Sequence, residues 1–302
     1  MHRSATIVVL LALAVLAYGL QRNSPAPTPK NSPFSEQRAG ADLKTIVDFG
    51  PRPAGSDALA KTRSYIVGEL EKAGLKPQLD EFDARTPRGF RHMINIRAIR
   101  PGAKSTVIAV TGHYDTKVFD NSRFVGASDG GSSAAWLLEF ARATSGLKLQ
   151  NSLEFVFFDG EEAVVEWTDD DSVYGSRYDV DRRVRSRSLD DLKALILVDM
   201  IGDKDLNIKK ESQSTGWLKD IIWNTAESMG YRKEFPKEQI EISDDHVPYL
   251  KARIPAVDLI DFDYPYWHTA EDTLDKVSAH SLKIVGDVVY FSLPEIDQRL
   301  SR

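Results

Sequence analysis

The sequence contains no cysteine. That absence excludes disulfides, a thiolate nucleophile, a cysteine-ligated zinc site and a lipid anchor on an N-terminal cysteine. Any metal must be held by His, Asp and Glu, a donor set that favours a catalytic site over a structural one. Positive charge is also short. Lys and Arg number 39 against 45 Asp and Glu, a net −6, so the chain lacks the basic footprint of a nucleic-acid binder. Its one basic cluster, Arg182, Arg183, Arg185 and Arg187, is set among Asp and Ser and reads as a solvated loop. Histidine is scarce, six in 302 residues, so each one at the end of a strand carries weight.

What is present begins with a targeting segment. Arg3 precedes an uncharged run, Ala5 to Leu20, which is short for a membrane-spanning helix and suits the apolar core of a signal. No clear small-x-small cleavage site follows, so residues 1–20 read as a signal peptide or an uncleaved signal anchor. Either form implies an exported protein, periplasmic, extracellular or tethered to the membrane. Residues 21–37 are rich in Pro, Ser and Asn and read as a linker. Residues 38–302 contain no second linker and read as a single α/β domain.

Periodicity fills in that domain. A helix is predicted over Asp57 to Ala73, with Ser56 as its cap and Gly74 as its stop. The alternation at Ile94, Ile96 and Ala98 predicts a strand with one buried face, and TVIAV ending at Val110 a buried one. Helices over Ser132 to Ala143, Thr215 to Met229 and Ser281 to Leu293, the last broken by Pro294, alternate with strands at Ser152 to Phe158, Leu195 to Met200 and Ala256 to Ile260. Such alternation predicts a central, mostly parallel mixed sheet flanked by helices.

The acids and histidines fall at the ends of those strands. His113 and Asp115 follow one, Asp159, Glu161 and Glu162 a second, and Asp199 ends a third, while His268 comes a few residues after a fourth. Open α/β sheets bind ligands beyond the carboxyl ends of their strands, so four segments converge on one rim. Asp129 sits in a Gly- and Ser-rich turn before a helix, where an Asp taken alone is more often a turn former or cap. The adjacent pair Glu161–Glu162 repels itself and resists burial; a bound cation would offset both effects, although acid pairs also open helices.

Four segments, FDGEEAVVEWTDDDSVYGSRY, FVGASDGGSS, DDHVPYLKARIPAVDLI and YWHTAEDTLDKVSAHSL, resemble the signature regions of the glutaminyl-peptide cyclotransferases. GPRPAGS and GHYDTK fit that family and its relatives, the zinc aminopeptidases. The resemblance covers residues 45 to 295 and implies a zinc-exopeptidase-like fold. Residue by residue, it implies one zinc held by Asp129, Glu162 and His268. Glu161 becomes the general acid/base, Asp199 and Asp244 an acid network beside it, and Trp167 and Trp267 the walls of the substrate pocket. There are departures. Animal cyclases carry a disulfide absent here and a His where this chain has Asp258, so Asp258, like His113, is left without a role.

By that resemblance the reaction closes an N-terminal Gln onto its own α-amine, giving pyroglutamate and ammonia. The substrates are peptides or proteins with N-terminal Gln. Two rivals stand. A di-zinc aminopeptidase of the same fold would use His113, Asp129, Glu162, Asp199 and His268 as ligands, with Asp129 bridging. A non-catalytic binding ectodomain would lack a ligand or the general base, and here none is missing.

Overall fold

The computed structural model describes residues 31–302. Helix α1, Glu36–Asp48, is capped by the Ser35 side chain, and α2, Asp57–Lys72, by Ser56. Strands β1, Gln78–Thr86, and β2, Gly89–Arg100, form an antiparallel hairpin. Then come β3, Val107–His113; α3, Gly131–Ala143; β4, Ser152–Phe158; α4, Tyr174–Ser186; and β5, Leu192–Asp199. The short strands β6, Lys210–Glu211, and β7, Gln239–Ile240, flank α5, Gly216–Ser228. The chain ends with α6, His246–Lys251; β8, Ala256–Ile260; and α7, Ala279–Leu300.

One six-stranded sheet runs β1-β2-β4-β3-β5-β8. It is antiparallel through β1, β2 and β4, and parallel from β4 onward. The sequences explain the difference. Strands β3 and β4 are buried along their whole length, as strands covered on both faces must be. The edge strand β1 is mostly exposed or half-buried. Alternate residues of the central strands face opposite layers: Ile108, Val110, Phe155, Phe157, Ile196 and Val198 join a core with α1, α2, α3, α5 and α7, while Val107, Ala109, Val156, Phe158, Leu195 and Leu197 pack with Tyr249 and Ile254. The parallel registers set His113 beside Phe158, and Asp199 beside Ile260, at one rim.

Three expectations need correcting. The final residues of the Pro- and Ser-rich stretch are not linker. Phe34 is buried with its ring against Gly286, where a Cβ would lie 2.5 Å from it, and the backbone amide of Ser32 donates to Asp287 at 3.0 Å. The targeting segment, 1–20, and the start of the linker lie outside the described residues. Pro294 does not end the last helix, which continues to Leu300. A proline inside a helix costs about 3 kcal/mol, but the turn beyond it is anchored: Ile296 is fully buried, and Asp297 accepts from the amides of Gln150 and Asn151, both at 2.8 Å. The arginine cluster lies mostly on α4 rather than in a solvated loop. Arg183 is buried against Asp179, at 2.7 Å, and Glu154.

Candidate metal centre and pocket

Asp129, Glu162 and His268 come from three separate loops, yet each offers one ligand atom within 4.8 Å of the other two. His268 Nε2 lies 3.2 Å from Glu162 Oε1 and 3.4 Å from Asp129 Oδ2. The geometry is built locally. Gly126 (φ 52°) and Gly130 (φ 76°) let the Asp129 turn close, since a Cβ there would lie 2.3 Å from the Asp129 carbonyl oxygen or 2.2 Å from that of Asp115. The Asp115 carboxylate accepts from the amides of Glu161 (3.2 Å) and Glu162 (3.4 Å), fixing the acid pair after β4. Three residues that are not glycine adopt left-handed backbone around the site: His268 (φ 54°), Met200 (φ 45°) and Val173 (φ 44°). Such conformations are disfavoured, most of all for a β-branched valine, and their clustering here marks a site that the fold holds under strain.

The trio suits a divalent cation. Asp129 Oδ2 and Glu162 Oε2 are buried and accept no hydrogen bond among the described residues, a costly state that a cation would relieve. Burial, reinforced by Asp129, pushes the Glu162 carboxyl up to about 7. Two carboxylates and one imidazole are a zinc donor set that leaves a coordination position open.

Glu161 stands beside the trio and outside it. Burial raises its carboxyl well above the ordinary glutamate range; His113 opposes this, and Glu162, Asp244 and Asp245 add to it. Asp199 sits 3.0 Å from His113 Nε2, which is also 3.2 Å from Asp129 Oδ1. His113, Asp129 and Asp199 thus form a second compact trio that shares Asp129 with the first. Asp244 lies in the same cavity, its carboxyl raised to about 7 by burial and by the Asp199 charge.

The cavity over these groups measures about 490 Å³. Trp267 and Trp167 both line it, with Val165, Ile242, Phe262 and the exposed Glu241. The Trp267 ring stacks on His268 with centroids 4.2 Å apart and packs against Phe262 at 4.7 Å.

The sequence profile of peptidase family M28 matches residues 95–292. A cow (Bos taurus) glutaminyl-peptide cyclotransferase is 30% identical over 278 residues, covering 78% of this chain and 77% of the relative. The chain belongs to the glutaminyl-peptide cyclotransferase branch of family M28. A crystal structure of an Acidobacteriales bacterium glutaminyl cyclase superposes with a TM-score of 0.84 at 38% identity, covering 92% of this chain and 99% of that one. A Zn-dependent exopeptidase from Parabacteroides distasonis superposes at 0.78 and 26% identity, covering 89% and 99%. The chain is an enzyme of this branch, with the branch's α/β fold.

The eight residues to which the resemblance gives a role all line this cavity. Sequence reasoning missed the groups that hold them. Arg52 and Asp272 are buried behind the Asp129 turn; Lys117 Nζ reaches the Ala163 carbonyl at 3.2 Å and lies 3.8 Å from Glu162 Oε2. Asp258 is fully buried 3.6 Å from His246 Nδ1, whose Nε2 is 3.2 Å from Glu211. The GPRPAGS and WHTAED segments contained two of these residues, but nothing in their local pattern separates a buried Arg or Asp from a turn former.

Proposed function

We propose that the chain is a zinc-dependent glutaminyl-peptide cyclotransferase that converts the N-terminal Gln of peptides or proteins to pyroglutamate and releases ammonia. The observation that carries the reading is the place of Glu161: buried beside the Asp129–Glu162–His268 trio, not part of it, and facing a cavity sized for a peptide end. The named activity of the cow relative supports it.

One zinc on the trio would supply Lewis-acid polarisation of the Gln side-chain carbonyl. The remaining work falls to the chain. Trp167, Trp267 and Phe262 wall the cavity, exclude water and fold the substrate's first residue back on itself. Because the reaction is intramolecular, that pose supplies much of the rate. The α-amine nitrogen bonds to the side-chain amide carbon, and the bond from that carbon to its NH₂ breaks. The proton lost by the amine is taken by Glu161 and returned to the departing nitrogen. A carboxyl raised by burial suits both transfers near neutral pH. Asp244 and Asp199 stand behind Glu161 as an acid network whose members share protons. The protein works outside the cytoplasm, released or tethered by Ala5 to Leu20.

A second reading, a di-zinc aminopeptidase, is favoured by one observation: the trio of His113, Asp129 and Asp199 would accept another ion. The test is mass spectrometry of a Gln-initiated peptide after incubation with the enzyme. Loss of one ammonia from an intact chain supports the cyclase; release of a free N-terminal amino acid supports the peptidase.

A further inference from the structure

We propose that Arg52 and Asp272 are positioning residues that together clamp the Asp129 turn, one by its carbonyls and the other by its amides, and so set the metal affinity of the site. The inference rests on Asp129 being a metal ligand. Arg52 is fully buried, yet its guanidinium is directed at main-chain carbonyls: Nη1 donates to Val125 (2.7 Å) and Gly50 (3.2 Å), Nη2 to Gly126 (3.0 Å) and Nε to Tyr114 (3.3 Å). A buried cation is expensive without a carboxylate partner, and burial lowers this one to about 10 against the opposing charges of Asp272, Asp115 and Asp129. So costly a group needs a compensating role, and its four bonds indicate one. They join the Asp129 turn to Tyr114, the neighbour of His113.

Asp272 grips the next residues. Its carbonyl accepts from the Ala127 amide (3.3 Å), and its carboxylate accepts from the amides of Ser128 (2.8 Å) and Asp129 (3.1 Å). The Tyr264 hydroxyl donates to the same carboxylate at 2.7 Å. Residues 125 to 129 are therefore held at five consecutive positions, carbonyls by Arg52 and amides by Asp272. Asp272 also lies four residues beyond His268, so the clamp couples one ligand turn to the next. Partners of this kind typically account for about 10–100-fold in metal affinity.

The sign of the effect separates positioning from simple charge. A buried cation near a zinc site repels the ion, so removing Arg52 would tighten binding if charge were its only influence. The experiment is a zinc titration of the full chain against a chromophoric chelator, with circular dichroism to confirm folding. Arg52→Gln and Asp272→Asn are each expected to bind zinc about 10–100-fold more weakly than the wild type. Unchanged or tighter binding by Arg52→Gln would overturn the clamp. If Arg52→Gln fails to fold, Arg52→Lys takes its place: a lysine cannot fork to diverging carbonyls, so it too must bind zinc more weakly, and wild-type affinity would overturn the proposal. Asp129→Asn is the control. Zinc retained at wild-type affinity there would overturn the ligand assignment and the clamp together, whereas zinc lost there but unchanged in Arg52→Gln would overturn the clamp alone.

Discussion

His113 Nε2 lies 3.0 Å from Asp199 Oδ1, and both side chains are buried. Burial works against a charged His113, but the Asp199 and Glu161 carboxylates outweigh it and lift the imidazole well above its ordinary value. In the proposed cyclase reading, His113 and Asp199 hold each other rather than a second ion. Asp199→Asn is therefore expected to keep one zinc per chain while turnover falls. Loss of bound metal in that variant, read by elemental analysis, would make Asp199 a ligand and favour the di-zinc reading.

Glu161→Gln removes the proton carrier while leaving the trio intact. Turnover should drop by about 10²–10⁴-fold, the usual contribution of a general acid/base, with zinc content unchanged. Steady-state kinetics beside metal analysis checks this, and wild-type turnover would remove Glu161 from the chemistry.

Much of this site was legible because strand ends announce themselves. SLEFVFF followed by DGEE, and LILVDM with its terminal acid, each place a carboxylate at the sheet rim by periodicity alone. The supporting groups were not legible, because burial of a polar residue depends on partners far away in sequence. Arg52 bonds to Val125 and Gly126, and Asp272 to Ser128 and Asp129. The same holds for the fold. Pro294 reads as a helix stop until Asp297 is seen bound to Gln150 and Asn151, and Ser32 and Phe34 read as linker until they meet Asp287 and Gly286.

The charge arrangement fixes a pH dependence for the metal-free protein. Glu162 and Asp244 are raised to about 7 and Asp159 to about 8, from ordinary values of 4.5, 3.8 and 3.8. Between those limits the native state holds protons that the unfolded chain has released, so stability falls as pH rises. His113 and His268, raised above 6.5, act in the same direction, their contribution being lost as pH climbs through their native values. Thermal melting should therefore occur at lower temperature at about pH 8 than at about pH 5.5, and saturating zinc should flatten the difference. A metal-free protein that gains stability over that interval would contradict the assignment.

Trp267 stacks on His268 while forming a wall of the cavity. Aromatic contacts of this kind contribute ~0.5–1.5 kcal/mol beyond their buried area. Trp267→Ala should raise KM for Gln-initiated peptides by about 2- to 10-fold, with a smaller change in kcat. An unchanged KM would make Trp267 a packing residue alone.

In the proposed enzyme one ion is held by Asp129, Glu162 and His268 while Glu161 stays free. An anomalous difference map from crystals of the zinc-saturated protein tests it most directly. A single peak is expected in contact with those three side chains and none between His113 and Asp199. Two peaks bridged by Asp129, or a peak ligated by Glu161, would contradict it.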